Sequence, residues 1–562
     1  MKKLVVLLVA VLFFSLPVFG ADFDAAKNNK FGIHLAQPSN EDIIKAAELV
    51  NASGGRWGYV TLVIQDNDRN VGKWQETFER LRELRLIPII RLATHGENGN
   101  WTRATVDQAD SWVNFLESLR WVVKNRYVIL FNETNHATEW GGGVDPEGYA
   151  TVAQAFAKKF KEKNSNYVVM LAGLDASAPS SSPWYEDEGW YLRRVVNKVG
   201  ISEFNALFSA LSSHSYPNPG FVGSPYATGR GTVRTYEWEL DFLRGLGIKD
   251  LPVFITETGW DESRIGKEEV ANFFQAAFEA WGRDNRVVAI TPFVLNYPAA
   301  PFANFSWIAP DGSLYPHFDR ISRMAKIVGS PAVVEDGTLF TSLPHELAIN
   351  STYHFVILLR NTGESIWKSD EYRLEADRSL LFILHLDEIP TIRPGESKEV
   401  DVTVTTNDII DKDTIRLYLK RGESTVMESV TWSFATVPLP SLEFHVSFYP
   451  RLHAEADDVE IQLFDAREQM VFKQKNIAVH SGIGLIDGVS NVAGGQKYRV
   501  VVLRPHFLPS QNYLTLKRGE NKLGLGMLVP LDFNNDGKFD FGDIVTLLGD
   551  LKMIGYLIPS AK

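Results

Sequence analysis

The chain has 562 residues, 45% hydrophobic and 12% aromatic, with no cysteine, a net charge of −12 and a pI near 5.6. That length accommodates about three to five domains, and that composition supplies packed cores. It excludes a disulfide scaffold, thiol nucleophiles and cysteine-ligated zinc, and with no basic run or stripe it excludes nucleic acid as the main partner.

In chain order, Lys2-Lys3, an apolar run over Leu4–Leu16 and small residues near Gly20 read as a secretory signal over residues 1–20, with cleavage before Ala21. The alternative, an uncleaved anchor, needs a longer apolar run to span a bilayer. With the signal removed, no transmembrane span is expected, and the protein is expected to be secreted or held at the cell surface.

Residues 21–329 alternate apolar runs with amphipathic segments. The runs are FGIHLA (31–36), WGYVTLVI (57–64), LIPIIRLA (86–93), YVILFNE (127–133), YVVMLAGL (167–174), NALFSALSSHSY (205–216), VFITETGW (253–260) and VVAITPFVLN (287–296). They lack polar alternation, so they read as strands buried on both faces. Segments such as WQETFERLRELR and EEVANFFQAAFEAWGR carry apolar residues at helical spacing. Eight strand–helix units predict an α/β (β/α)8 TIM barrel. A doubly wound open sheet is the alternative, and it lacks its glycine-rich fingerprint after the first run.

Beyond residue 329 helical periodicity stops. Residues 330–437 (TYHFVILLRNTG, KEVDVTVTTN, TIRLYLKRG) and 438–528 (LEFHVSFYP, VEIQLFD, KYRVVVLRP) show short alternating runs between turn residues, the pattern of two all-β sandwiches. Pro438 and Pro440 mark the join. Residues 529–562 form a separate short element. Within it Asp532, Asn534, Asp536, Lys538, Asp540 and Asp543 fall at positions 1, 3, 5, 7, 9 and 12 of a loop with Gly537 at 6. That is the EF-hand spacing: side-chain oxygens, a backbone carbonyl at 7 and a glycine for the sharp turn. A structural Ca2+ is expected there.

The chemistry is expected at the carboxyl ends of the barrel strands, which open on one face. Glu133 ends the fourth run and Glu257 the seventh, so both reach one mouth. Two carboxyls across a cleft suit glycosidic cleavage, one as proton donor and one as nucleophile or base. The bland reading of each is a solvated strand cap. No HExxH or GxSxG pattern offers metalloprotease or serine-esterase chemistry.

Asn132-Glu133 on the fourth strand and Glu257 in ITETGW on the seventh resemble glycoside hydrolase clan A, the retaining (β/α)8 enzymes of the cellulase and β-glycosidase kind. The resemblance covers roughly the first 330 residues. It implies that Glu133 is the acid/base, Glu257 the nucleophile, and that Asn132 hydrogen-bonds the sugar 2-hydroxyl. It also implies that no cofactor serves catalysis and that the substrate is a β-linked oligo- or polysaccharide. Arg91, at the third run, would orient Glu257 or form a buried salt bridge. His214 and Tyr216, ending the sixth run, would sit round the nucleophile or make structural hydrogen bonds. His136, Trp140, Trp260 and Trp307 would contact sugar or simply pack. Thr134 stands where many clan members have proline, which bears on loop rigidity rather than chemistry.

NTGESIW (361–367) resembles a stretch of immunoglobulin-like accessory modules. The second sandwich resembles carboxypeptidase-regulatory or fibronectin-like modules, and the calcium loop a single dockerin repeat. A dockerin normally carries two repeats. The element therefore reads either as a calcium-stapled terminus or as a contact for a cell-surface or cohesin-like partner. The rival to the whole reading is a non-catalytic glycan-binding surface protein with a degenerate barrel.

Overall fold

The computed structural model describes residues 27–452 and 455–557; the signal at 1–20 lies outside them. The chain forms two compact units, divided between Val334 and Glu335. Among the described residues no helix is long and apolar enough to cross a membrane.

The first unit is a closed parallel barrel. Its strands are β1 (Gly32–Leu35), β2 (Gly58–Gln65), β3 (Leu86–Ala93), β4 (Arg126–Leu130), β5 (Tyr167–Leu171), β6 (Leu211–His214), β7 (Val253–Glu257) and β8 (Val287–Ile290). β1 to β5 pair in order, as do β6 to β8. Parallel bridges at Phe31–Ile290 and Asp175–His214 close the two gaps, so the open-sheet alternative falls. Only part of the sixth run is strand. Ile201–Leu207 is helical, and the chain enters the sheet at Leu211.

The strands read as unbroken apolar runs because both faces are covered. Tyr59, Tyr127 and Phe254 touch across strands that are not neighbours, which places them inside the barrel. The outer faces take helices. α2 (Val71–Glu83) buries Trp74, Phe78 and Leu81, and α9 (Lys267–Arg283) buries Val270, Phe274, Phe278 and Trp281. Each such side chain contributes about 1.5–3 kcal/mol of burial. α4 (Pro146–Lys163) starts where Asp145 accepts from Gly148 N–H and proline takes the first turn. The unit runs a few residues past 329, since Lys124 N–H donates to Ala332 O (2.9 Å).

The second unit begins with two sheets. One has the order β9 (Gly337–Thr341), β11 (Thr352–Asn361), β14 (Ser397–Thr406), β13 (Phe382–Leu386). The other has β10 (Glu346–Ala348), β16 (Val430–Val437), β15 (Lys412–Arg421), β12 (Tyr372–Ala376). On β14, Val400, Val402 and Val404 are buried and the residues between them face outward, the period-2 signal of a half-buried strand. Asn361 and Trp367 of the NTGESIW stretch are structural. The Asn361 amide donates to Ser365 O and Ile392 O, and Trp367 is fully buried.

The second expected sandwich differs. Strands β17 (Ser441–Phe448), β18 (Ala456–Phe464), β19 (Met470–His480), β20 (Ile483–Ile486), β21 (Lys497–Arg504), β22 (Phe507–Thr515) and β23 (Glu520–Leu528) make one sheet, in the order β22-β21-β18-β19-β20-β17-β23. Its edges meet: Ser510 Oγ donates to Leu525 O (2.6 Å) and Asn512 Nδ2 to Gly524 O (2.9 Å). A sheet rolled this way covers its own edges and still shows sandwich-like alternation. Pro438–Pro440 is no free linker either, because Pro440 O accepts from Val489 N–H (2.8 Å).

In the terminal element, Asp532 accepts from Asp536 and Gly537 N–H, and Asp543 from Asn534 and Asp540 N–H. α11 (Phe541–Gly549) follows, capped by Asp540 and Asp543.

Candidate active site

A cleft of about 1050 Å3 opens at the carboxyl ends of the barrel strands. That is at the top of the roughly 300–1,000 Å3 usual for small-ligand sites. Strand ends supply its polar floor. Glu257 is the last residue of β7, His214 the last of β6, Arg91 lies near the end of β3, and Asn132-Glu133 follow β4.

The turn after β4 is conformationally unusual. Phe131 and Glu133 have φ of 74° and 31°, left-handed values that side chains adopt only when the surroundings demand it. Three contacts hold the turn. Glu133 N–H donates to Gly173 O (3.0 Å), and His136 N–H donates to Glu133 O (2.8 Å). The buried Asn135 amide bridges Asp175 O and Glu186 O. Thr134 is fully buried, so it packs the turn rather than facing the cleft. Gly173 is required just past the end of β5: a Cβ there would lie 2.2 Å from the His214 ring.

The two carboxyls face one another. An oxygen of Glu133, an oxygen of Glu257 and a ring nitrogen of His214 all lie within 4.8 Å of one another. These three are the one such donor cluster among the described residues close enough to hold a metal ion. The Arg91 guanidinium is already paired with Glu257, which disfavours a second cation there.

Glu257 is held from three sides. Arg91 Nη1 donates to its Oε1, Tyr216 OH donates to Oε2 (3.0 Å), and His34 Nδ1 lies 3.9 Å from Oε1. Burial alone would push its pKa up; the charges of His214 and Arg91, with His34, instead bring it down to about 2. Burial and the charge of Glu257 push the Tyr216 phenol well above its usual range, so it stays a donor. Burial and Arg91 lower His34 to about 3, leaving it neutral. His214 Nδ1 lies 2.8 Å from Glu133 Oε1. Burial opposes its protonation, but the charges of Glu257 and Glu133 win and its pKa is raised.

Asn132 is fixed at both ends of its amide. Oδ1 accepts from Arg91 Nη1 (2.7 Å) and Nδ2 donates to Glu139 Oε2 (3.2 Å). His136 pairs with Asp175 at 2.9 Å at the rim.

Arg91, Asn132, Glu133, His136, Tyr216 and Glu257 therefore converge on the cleft, with His214 directly behind the two carboxyls. The tryptophans do not behave alike. Trp140 borders the cleft but is only 1% exposed, packed on Phe131 and Tyr149. Trp260 and Trp307 are not on the cleft wall. Trp260 is wedged against Phe273 and Phe274, and Trp307 between Phe274 and His317; helix α9 covers both. The aromatic wall comes instead from Trp101, Phe221, Phe293, Phe302 and Phe305. Sequence reasoning also passed over Glu139 and Asp175. Asp175 had a signal, since it directly follows the fifth run.

No family model matches the chain, and no curated protein matches it. Solved structures do. A GH128 (subgroup II) endo-β-1,3-glucanase from Pseudomonas viridiflava matches with a TM-score of 0.36 at 11% identity, over 53% of this chain and 99% of that one. GH5_18 from Streptomyces cattleya matches with a TM-score of 0.39 at 13% identity, over 57% and 84%. Endo-glycoceramidase II from Rhodococcus sp. matches with a TM-score of 0.35 at 11% identity, over 69% and 99%. At this level of likeness the chemistry has to be argued from the residues of the cleft.

Proposed function

We propose that this protein is a glycoside hydrolase that cleaves β-linked glycans with retention of configuration. The observation that carries the reading is the carboxyl pair, with oxygens within 4.8 Å across one cleft and unequal surroundings. Retaining enzymes hold their carboxyls about 5–5.5 Å apart, whereas inverting ones leave roughly 6.5–9.5 Å for a water.

Glu257, kept ionised by Arg91, Tyr216 and His214, attacks the anomeric carbon and forms a glycosyl-enzyme. Glu133 gives its proton to the leaving oxygen, then takes one from the water that releases the sugar. Asn132, fixed by Arg91 and Glu139, meets the hydroxyl next to the reacting carbon. Trp101 and the phenylalanines supply apolar faces for sugar rings.

The test is hydrolysis of a panel of β-linked polysaccharides and aryl β-glycosides by wild type, Glu133→Gln and Glu257→Gln, with the product anomer read by NMR. Loss of activity in both variants and a first-formed β-anomer are expected. A first-formed α-anomer would overturn retention. A wild type that binds glycans without cutting any would favour the adhesion-protein reading.

The terminal loop is proposed to hold Ca2+. Asp532 and Asp543 are buried and have no ion-pair partner among the described residues, an arrangement that a cation would offset. Asp532, Asn534, Asp536, Asp540 and the Lys538 carbonyl would serve as ligands, with Asp543 closing the loop. Calorimetric titration with Ca2+ is expected to show one site, lost in Asp543→Ala. Phe541 and Leu548 of α11 are largely exposed, which supports contact with a cell-surface or cohesin-like partner. Export by the residue 1–20 signal is proposed as well, and fractionation of expressing cells tests it.

A further inference from the structure

Five carboxyls line the cleft: Asp68, Glu133, Glu139, Asp175 and Glu257. Four of them face a basic group. Asp68 pairs with Lys73, Glu133 with His214, Asp175 with His136, and Glu257 with Arg91. Among the described residues Glu139 has no such pair; its hydrogen bond comes from the Asn132 amide. It sits on the one-turn helix Ala137–Glu139, on the side of Asn132 away from Arg91.

Resting on the hydrolase reading, we propose that Glu139 is a positioning residue for Asn132 and, through its other oxygen, a binding group for a hydroxyl on the same sugar. An asparagine amide can be turned end for end without changing its shape. Arg91 demands the oxygen on one side, and Glu139 demands the N–H2 on the other. Together they leave one N–H of Asn132 directed at substrate. The chain Glu139–Asn132–Arg91–Glu257 then ties sugar recognition to the orientation of the nucleophile.

The groups that face Glu139 are Glu133 and Glu257, which disfavour its charge, Arg91 and Asn132, which favour it, and His136 at the rim. Burial and the Glu133 charge raise its pKa to about 7. Glu139 therefore changes charge in the neutral range, and substrate affinity should follow that change.

The experiment compares kcat and KM of wild type, Asn132→Ala, Glu139→Ala, Glu139→Gln and the Asn132→Ala/Glu139→Ala double variant on a substrate the wild type cleaves, from pH 5 to 8.5. Losing hydrogen bonds to a charged group predicts a fall in kcat/KM of about 10- to 100-fold in Glu139→Ala. Glu139→Gln, which still accepts from Asn132, should lose less and should alter the pH profile near 7, where the Glu139 charge no longer changes. In the double variant the losses should be clearly less than additive, because Glu139 acts through Asn132. Additive losses, or wild-type kinetics in Glu139→Ala, overturn the proposal. If Glu139→Ala does not fold, wild-type kcat/KM with an unchanged pH profile in Glu139→Gln overturns it. A wild type that cleaves nothing sinks the hydrolase reading and this one with it; an active wild type with an indifferent Glu139 sinks this one alone.

Discussion

Replacing Arg91 by methionine removes the guanidinium and keeps most of the stem's volume. In the native cleft Glu257 is buried yet ionised, its pKa brought from an ordinary 4.5 to about 2. At about 1.4 kcal/mol for each tenfold, that difference favours the carboxylate by about 3 kcal/mol. The sign follows from the depressed value. This stabilisation is present above pH 4.5 and is lost as pH falls toward 2. Without Arg91, burial acts against fewer opposing charges. The acid limb of kcat/KM belonging to Glu257 should then move up by about 1–3 pH units. Unfolding by urea at pH 7 should show a loss of a part of those few kcal/mol, since His214 also holds Glu257 ionised, and the gap between variant and wild type should narrow by pH 3. The assays are initial rates on an activated aryl glycoside from pH 3 to 8 and urea melts at pH 3, 5 and 7. An unmoved acid limb together with a stability gap that ignores pH would refute the claim that Arg91 holds Glu257 ionised.

Tyr216→Phe removes a 3.0 Å hydrogen bond to the buried Glu257 carboxylate, so kcat/KM should fall about 10- to 100-fold with the fold intact, checked by kinetics and circular dichroism. Trp260→Ala and Trp307→Ala should each cost about 3–5 kcal/mol of stability in chemical denaturation, because both rings are core. Trp101→Ala, on the cleft wall, should instead raise KM with little change in melting temperature. Glu188 and Glu239 are buried against one another and burial raises both pKa values, so they favour folding below pH 4.5 and oppose it progressively as pH rises. Glu239→Gln should flatten that fall, read as urea midpoints from pH 5 to 8.

Legibility in the sequence followed the range of the physics involved. Counting apolar runs was enough to number the strands, and strand number together with the rule that strand ends share a mouth puts Glu133 and Glu257 face to face. Arg91 and Tyr216 were reachable by the same counting. How strongly the charge of Glu257 is held was not, because it is the joint outcome of burial and of His34, Arg91, His214 and Tyr216, which come from three other strands and the loop after the sixth. Glu139 lies only six residues from Glu133, yet its role depends on which way the Asn132 amide is turned, and Arg91 decides that from another strand.

Local rules determined the barrel strands, the helix caps and the spacing of the acidic loop, since each depends on residues a few positions apart. Whether a tryptophan after a strand meets solvent or a helix is not local. Trp260 and Trp307 follow strands as a sugar platform would, and α9 covers both. The alternation in residues 438–528 likewise specifies one buried face per strand, but not whether the strands stack as two sheets or roll into one. That is decided by which edges find each other, and the meeting of β22 with β23 exists only in the folded chain.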